Sequence, residues 1–478
     1  MDEYDLVVIG AGTGGLVSAF VGDALGARVL LVERERVGGE CLWSGCVPSK
    51  TLIQSARVLN LAQHSQEFGV HVEKPRLIWN ALRLRLQDVR DDIRRLEREQ
   101  LSRSSIEIAS GQAAFVDAHL LDIQSIQGPA STRRVRARKV ILATGSQAVI
   151  PDIPGLAEAG FLTHRDLFEL PALPRSLAII GGGAVGCEMA QAFARLGSRV
   201  TLIQRGPILL PREDADVSSY ARKILQGAGV QVLVDAQVLA ARGDDDGKYL
   251  QVQAGGEQHE IRASRILVAA GKRPRVEGIG LERAGVEFSA RGVGTDKYLR
   301  TSAPHIFAVG DVRGKNLWTH AAEHAAKAAA RNALLPLPAA LDERAMPSVV
   351  FLEPQLARVG MTEAEARRQF RHPQIVREEF KTLDRAIIDG QAEGFCKLVL
   401  ARSGRIVGAH IAGAGAGELL PLLTHAVREG MVAAELAEMV FAYPTLSEIL
   451  HRAGNSWYQN ALSNPWLKRL LRRLARRV

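Results

Sequence analysis

The sequence predicts an α/β chain: two Rossmann-like parallel-sheet units followed by a C-terminal α+β module. Three observations carry that prediction. Near the start, an apolar run leads through a Gly-x-Gly-x-x-Gly turn into a helix and a second apolar run; the same succession recurs from Ser176 onward; and after Pro347 the pattern changes to short strands separated by turns. The 478 residues correspond to about three domains at roughly 150 residues each. With 47% apolar and 24% charged residues the composition is that of an ordinary globular protein, which excludes a disordered chain, a collagen and a long coiled coil.

In the first unit, Asp5 to Ile9 is an apolar strand ending in Gly10-Ala11-Gly12-Thr13-Gly14-Gly15, with a helix through Leu16, Phe20 and Leu25 after it. The second strand, Arg28 to Val32, ends on Glu33. Gly10, Gly12 and Gly15 let the backbone turn tightly and approach a pyrophosphate at the helix N-terminus. A carboxylate at Glu33 can accept from both hydroxyls of an adenosine ribose. In the second unit, the strand Ser176 to Ile180 leads into Gly181-Gly182-Gly183-Ala184-Val185-Gly186, a helix through Met189 and Phe193, and the strand Arg199 to Ile203. Two such units imply two dinucleotides, or one and a duplicated relic. Here Gln204 stands where the acid belongs, with Arg205 and Arg212 beyond it. Arginines pair with a 2′-phosphate that a carboxylate would repel, so NADP(H) is favoured over NAD(H); the alternative is that both arginines are ordinary surface charges.

Between the units, Ile78, Leu82, Leu86, Val89, Ile93 and Leu96 recur at helical spacing, predicting a long amphipathic helix with one buried stripe. Further on, Ile306 to Val309 is a strand ending in Gly310-Asp311 before an alanine-rich helix. Asp311 is either a ligand for a polyol or a plain helix cap. Beyond Pro347, Val349-Val350-Phe351, Phe395 to Leu400 and Ile406 to Ile411 read as strands, and Leu419–Arg428 and Ala433–Glu438 as helices.

Four cysteines are too few for a secreted disulfide scaffold. Cys187 and Cys396 are solitary and read as small core residues, whereas Cys41 and Cys46 form a close pair, which in a cytosolic chain is redox-active or metal-binding more often than structural. Zinc needs two further ligands and no His or Cys flanks the pair at ligand spacing, so no metal site is expected. Two thiols five residues apart at a helix start can close a small disulfide ring, and the helix dipole stabilises a thiolate there.

The stretch Gly38-Gly39-Glu40-Cys41-Leu42-Trp43-Ser44-Gly45-Cys46-Val47-Pro48-Ser49-Lys50 resembles the GGxCxxxGCxPSK motif of the class I pyridine nucleotide-disulfide oxidoreductases, the group of dihydrolipoyl dehydrogenase, glutathione reductase and mercuric reductase. The resemblance extends over nearly the whole chain, through Ala143-Thr144-Gly145-Ser146, Gly271-Lys272-Arg273-Pro274, Gly310-Asp311 and Gly360-Met361-Thr362-Glu363. It implies residues 1–150 and 276–345 as an FAD-binding and central unit, 151–275 as an NAD(P)-binding domain and 346–463 as a dimerisation module. It implies FAD held by Gly10, Gly12, Gly15, Glu33, Gly39, Ala143, Thr144, Gly145, Gly310 and Asp311, and the nicotinamide nucleotide held by Gly181, Gly183, Gly186, Gln204, Arg205, Arg212 and Gly271. It further implies Cys46 against the flavin as thiolate, Cys41 facing a disulfide substrate as interchange thiol, and Lys50 near the flavin paired with Glu188. His410 falls where the group carries a structural histidine.

One departure bears on the chemistry. The group's C-terminal HPTxxE reads Tyr443-Pro444-Thr445-Leu446-Ser447-Glu448, so Glu448 is kept while a phenol replaces the imidazole that the neighbouring subunit would supply. A phenol of pKa near 10 is a poor base at neutrality; His451 is a possible substitute, and Tyr443 can also merely fill the histidine's space. Mercuric reductase resembles this chain at that tyrosine, but its C-terminal cysteine pair is missing here, which argues against mercury as the natural substrate. The leading expectation is an FAD enzyme carrying electrons from a nicotinamide nucleotide through Cys41–Cys46 to a small or protein-bound disulfide, including a lipoyl group. The alternatives are a quinone or metal-ion reductase of the same fold, and a redox-sensing or membrane-docked flavoprotein without turnover.

The charge sits in the tail. Of the net +9, six charges belong to Lys468, Arg469, Arg472, Arg473, Arg476 and Arg477, leaving +3 for the remainder, which argues against a nucleic-acid surface. Asn464-Pro465 starts a helix (464–478) with Leu467, Leu470, Leu471, Leu474 and Val478 on the face opposite those bases. Its leucines pack on its own dimer, lie in an anionic membrane surface or dock an acidic protein partner. No apolar run spans a bilayer and no basic leader precedes Leu6-Val7-Val8-Ile9, so the expected location is cytoplasmic, with a peripheral place on the inner membrane face as the variant that the tail suggests.

Overall fold

The computed structural model describes residues 1–126, 131–244, 246–462 and 468–469. The basic C-terminal helix expected at 464–478 therefore lies outside the described residues, apart from Lys468 and Arg469.

The first sheet is built on Asp2–Ile9, whose Leu6, Val7 and Val8 are fully buried. It pairs in parallel with Val29–Glu33 on one side and Thr132–Leu142 on the other, and Thr132–Leu142 continues in parallel into Ile306–Ala308. Glu107–Phe115 extends the other edge. Near-continuous apolar strands of this kind require cover on both faces. One face is covered by the helices Thr13–Ala24 and Thr319–Leu334, whose Ala19, Ala325 and Ala329 meet Leu6, Val8 and Leu31. The alanines let the two helices approach closely: a Cβ on Gly14 would stand 3.7 Å from that of Ala322.

The second parallel sheet runs Arg265–Val268, Ser176–Ile180, Arg199–Ile203, Gln231–Leu233, with the antiparallel strands Ala236–Asp244, Gly247–Ala254 and Glu257–Ala263 beside it. The third sheet is antiparallel, in the order Ser348–Val350, Gln355–Gly360, Ile406–Gly413, Phe395–Leu400, Gln374–Glu379. The helices Ala416–Glu429 and Ala433–Glu438 pack on it through Leu420, Leu423 and Leu436.

Three expectations need correction. The amphipathic helix forms over Trp79–Ser102, but its stripe is fully buried only at Leu82 and Leu86; Val89 and Ile93 are half-buried, and Ile78, the residue before the helix, and Leu96 are 64% and 55% exposed. The two cysteines do not share one helix: Cys41 lies in the short helix Gly39–Trp43, and Cys46 is the first residue of Cys46–Gln63. The chain breaks at Ser44-Gly45, where a Cβ on Gly45 would come 2.9 Å from the Glu40 carbonyl oxygen, so only glycine lets the two short stretches fold back together. Asp311 does not cap the alanine-rich helix, which begins at Thr319, eight residues later.

Candidate active site

Both glycine turns open at the C-terminal ends of their parallel strands, where open α/β sheets bind ligands. They border one cavity of about 1580 Å³, lined among others by Gly12, Glu33, Cys41, Cys46, Lys50, Gly183, Glu188, Gly271 and Asp311.

The first turn is a cradle with no room for side chains. A Cβ on Gly15 would lie 1.7 Å from the Gly10 carbonyl oxygen, one on Gly10 2.4 Å from that of Ala143, and one on Gly39 2.5 Å from the Gly12 Cα. Gly39, just before the redox pair, is thereby pressed onto the turn. Glu33 accepts the Ala11 N–H on Oε2 and the Glu35 N–H on Oε1, both at 2.6 Å, which fixes its carboxylate at the strand end. The second turn repeats the device. A Cβ on Gly186 would lie 1.9 Å from the Gly181 carbonyl oxygen, and Gln204 accepts the Gly182 N–H at 2.8 Å. Gln204 thus keeps the bond of the missing acid while dropping its charge. Arg205 and Arg212 are both exposed, and Arg212 lines the cavity.

The sulfurs are free thiols in distinct surroundings. Cys46 Sγ lies 3.2 Å from Thr319 Oγ1, at the first residue of the alanine-rich helix. The hydrogen bond from Cys41 is the largest influence on Cys46; with Thr319, Lys50 and Lys272 it outweighs burial and holds this thiol at about 6. Cys41 moves the other way, raised by the same hydrogen bond, by burial and by its neighbour's charge. The pair therefore reads as a thiolate at Cys46 with the Cys41 proton directed at it. Lys50 Nζ is 2.7 Å from Glu188 Oε2, and Glu188 Oε1 accepts the Phe351 N–H at 2.9 Å, which joins the redox helix to the second glycine helix.

Asp311 is half-buried and accepts the Ser146 hydroxyl at 2.6 Å; desolvation raises its carboxyl against Ser146 and Lys272. Glu40, beside Cys41, contacts Lys272 Nζ and lies 3.1 Å from His164 Nε2; burial raises its carboxyl, but these two partners prevail and hold it down at about 2. Thr319, Glu40, His164 and Lys272 were not singled out from the sequence. Trp43 donates its indole N–H to the Val37 carbonyl and lies under the guanidinium groups of Arg36, Arg90 and Arg94, at 4.7, 5.0 and 5.4 Å.

Tyr443 stands apart from this cavity. It is 69% exposed and donates to Asp384 Oδ2 at 2.7 Å, which raises the phenol further. Glu448 opens the helix Glu448–Leu462, and His451 lies 2.8 Å from the Asn455 amide. Cys187 and Cys396 are fully buried, and burial pushes Cys396 up to about 12.

Residues 4–329 match the family model described as pyridine nucleotide-disulphide oxidoreductase, and residues 346–453 match the dimerisation domain of the same family. The chain belongs to the pyridine nucleotide-disulphide oxidoreductases. It is similar to a dihydrolipoyl dehydrogenase of Bacillus subtilis, 34% identical over 94% of this chain and 97% of that one. It is also similar to a mercuric reductase of Streptomyces lividans, 35% identical over 95% and 96% of the two chains. Among solved structures, the Cu(II) complex of the HOCl-induced flavoprotein disulfide reductase RclA from Escherichia coli superposes with a TM-score of 0.85 at 27% identity, covering 95% of this chain and 99% of that one. The protein is an FAD-dependent disulfide oxidoreductase that uses a nicotinamide nucleotide. The residues fit FAD: the glycine cradle leaves backbone N–H groups at a helix N-terminus for pyrophosphate, and the Glu33 and Asp311 carboxylates line the same cavity as acceptors for hydroxyls. Among the described residues no helix is long and apolar enough to cross a membrane, and no group of three acidic, His or Cys side chains could hold a metal ion.

Proposed function

We propose that this enzyme reduces a small or protein-bound disulfide with NADPH, through the Cys41–Cys46 pair. The observation that carries the reading is the unequal thiol pair set in the cavity between two glycine turns, with Cys46 held near 6 and Cys41 raised. FAD, when bound, supplies the two-electron link between the nucleotide and the sulfurs. The chain's own residues do the rest. Cys41, its proton passing to Cys46, attacks a substrate disulfide; a mixed disulfide forms and the first substrate sulfur leaves as a thiol, taking that proton back from Cys46 and leaving Cys46 a thiolate. Cys46 then attacks the Cys41 sulfur, the second substrate sulfur leaves as a thiolate that takes its proton from water, and the Cys41–Cys46 disulfide closes, having given the substrate two electrons. Thr319, Lys50 and Lys272 stabilise the Cys46 thiolate, and Glu188 holds Lys50. Gln204 and Arg212 favour the 2′-phosphate of NADPH, since the neutral amide repels nothing.

The dimerisation domain supports a homodimer in which Tyr443 and Glu448 serve the neighbouring subunit's cavity. Such a chain works in the cytoplasm, where free thiols persist. One observation favours a second acceptor class, a soft metal ion. Among the described residues no imidazole acts on the Cys41 thiol, whereas two adjacent sulfurs, one of them a thiolate near neutrality, suit Cu(I). Two Cu(II) ions would take one electron each as the pair closes its disulfide. The test is a steady-state panel of lipoamide, glutathione disulfide, quinone and Cu(II) with NADPH and NADH. Disulfide turnover lost in Cys41→Ser supports the first reading; quinone turnover alone, retained in that variant, contradicts it.

A further inference from the structure

Three cationic residues and one histidine stand abreast on the third sheet; burial lowers the His410 imidazole to about 4, so it is neutral at neutrality and Arg358, Lys397 and Arg377 carry the charge of the row. The strand register pairs Arg358 with His410, His410 with Lys397, and Lys397 with Arg377, so their side chains share one face. That face meets the nucleotide unit. Arg358 Nε is 2.8 Å from Glu213 Oε2; Lys397 Nζ is 2.8 Å from Asp214 Oδ2 and 2.7 Å from Asp216 Oδ1; Arg377 Nη1 is 3.0 Å from Asp216 Oδ2; and His410 Nε2 is 3.2 Å from Asp214 Oδ2. The side chains of Lys397, His410 and Asp214 are 2%, 1% and 7% exposed. Burying such a cluster is costly, and apolar packing would join two domains at least as firmly. What charged partners add is a fixed position for the residues they hold.

Glu213 and Asp214 end the loop 204–214, which follows the strand Arg199–Ile203 and runs beside the second glycine turn, and Asp216 lies in the helix Ala215–Gly227 after it. At its start Gln204 accepts the Gly182 N–H, and midway the Leu210 N–H donates to the Gly182 carbonyl at 2.9 Å. Leu210 is buried with φ +48°, an uncommon backbone for leucine, and the Ser218 hydroxyl holds the Leu209 carbonyl at 2.6 Å. The loop is thus stretched between the glycine turn and the basic row. Arg212, immediately before Glu213, lines the cavity and makes no ion pair among the described residues.

We propose that the basic row of the dimerisation domain is a specificity determinant for the nucleotide: through Glu213 and Asp214 it sets where Arg212 stands, and so how tightly the 2′-phosphate is held. Arg358 and Lys397 are positioning residues on this account, which rests on the reading of Arg212 as a 2′-phosphate ligand.

The test is equilibrium binding of NADP⁺ and NAD⁺ to the FAD-loaded dimer, with KM and kcat alongside. Arg358→Gln and Lys397→Met are expected to weaken NADP⁺ by about tenfold while NAD⁺ binding and kcat stay within about twofold. Lys397→Arg should restore NADP⁺ binding, and in an Arg212→Ala background Arg358→Gln should add less than about twofold. Hydrogen exchange of residues 205–213 should quicken in Arg358→Gln, a readout independent of turnover. Should Lys397→Met not fold, Arg358→Gln, whose site is 21% exposed, carries the test. If Arg212→Ala weakens NADP⁺ but Arg358→Gln does not, or if Arg358→Gln weakens both nucleotides alike, the positioning role is overturned and the phosphate reading stands. If Arg212→Ala leaves NADP⁺ unchanged, the phosphate reading itself falls.

Discussion

The two reactive sulfurs sit five residues apart and should titrate far apart. Cys46 is held at about 6 against an ordinary value near 9, so it is a thiolate above that pH and loses its charge as pH falls through 6; Cys41 is raised, so it stays protonated at neutrality. Alkylation of the reduced protein by iodoacetamide, followed residue by residue by mass spectrometry, should therefore show Cys46 reacting with an apparent midpoint near 6 and Cys41 lagging throughout the neutral range. Equal reactivity of the two sulfurs would contradict the assignment. Lys50→Met should move that midpoint upward, since the ammonium helps to hold the thiolate. It also strands Glu188, 6% exposed, at a cost toward the lower end of about 3–5 kcal/mol because Lys50 itself is one-third exposed. Thermal melts should show the loss, and Glu188→Gln in the same chain should recover part of it. Tyr443 makes the complementary prediction. Its phenol is raised further by Asp384, so it is no base at neutrality, and Tyr443→His should increase lipoamide turnover at pH 7 if proton removal from Cys41 limits the rate.

At the scale of elements, the two glycine turns are the same device used for two ligands, and equal substitutions should separate them. Gly15→Ala and Gly186→Ala each drive a Cβ to within 2 Å of a carbonyl oxygen, at 1.7 and 1.9 Å. The first should yield protein without flavin absorbance. The second should keep the flavin but weaken the nucleotide by roughly 100-fold, about 2.7 kcal/mol, so that NADPH no longer bleaches it. A Gly15→Ala protein that stays yellow would contradict the placement. These turns, Glu33 and the cysteine pair are legible in the sequence because their demands are local: a tight turn, a helix start, an acid at the next strand end. The rest is not. Thr319 reaches Cys46 across 273 residues, Glu40 meets Lys272 across 232, and Ser146 meets Asp311 across 165, and no local pattern marks such partners. The basic row arises only from the register of four strands. Of the two arginines read from the sequence as nucleotide ligands, both exposed, Arg212 lines the cavity. The half-exposed stripe of Trp79–Ser102 shows that periodicity specifies a helix without specifying how much of it a domain covers.

At the scale of the molecule, two glycine turns and one pair of sulfurs share a cavity, and Tyr443 of the third module does not line it. Val440 and Tyr443, 99% and 69% exposed, lie on the dimerisation module, which is how a residue serving a second copy would be presented. Co-expressing Cys46→Ser chains with Tyr443→Phe chains should then give mixed dimers with one intact site, more active than either parent if Tyr443 contributes to turnover; activity no higher than the sum of the parents would place Tyr443 outside the reaction. The central claim is that electrons from the nucleotide come to rest on the Cys41–Cys46 bridge, and thiol counting addresses it most directly. The oxidised, FAD-loaded protein is mixed anaerobically with one equivalent of NADPH per chain, alkylated and digested. The account predicts two newly labelled residues, Cys41 and Cys46, with Cys187 and Cys396 unlabelled in their buried sites. NADPH consumed with both sulfurs still bridged would contradict it.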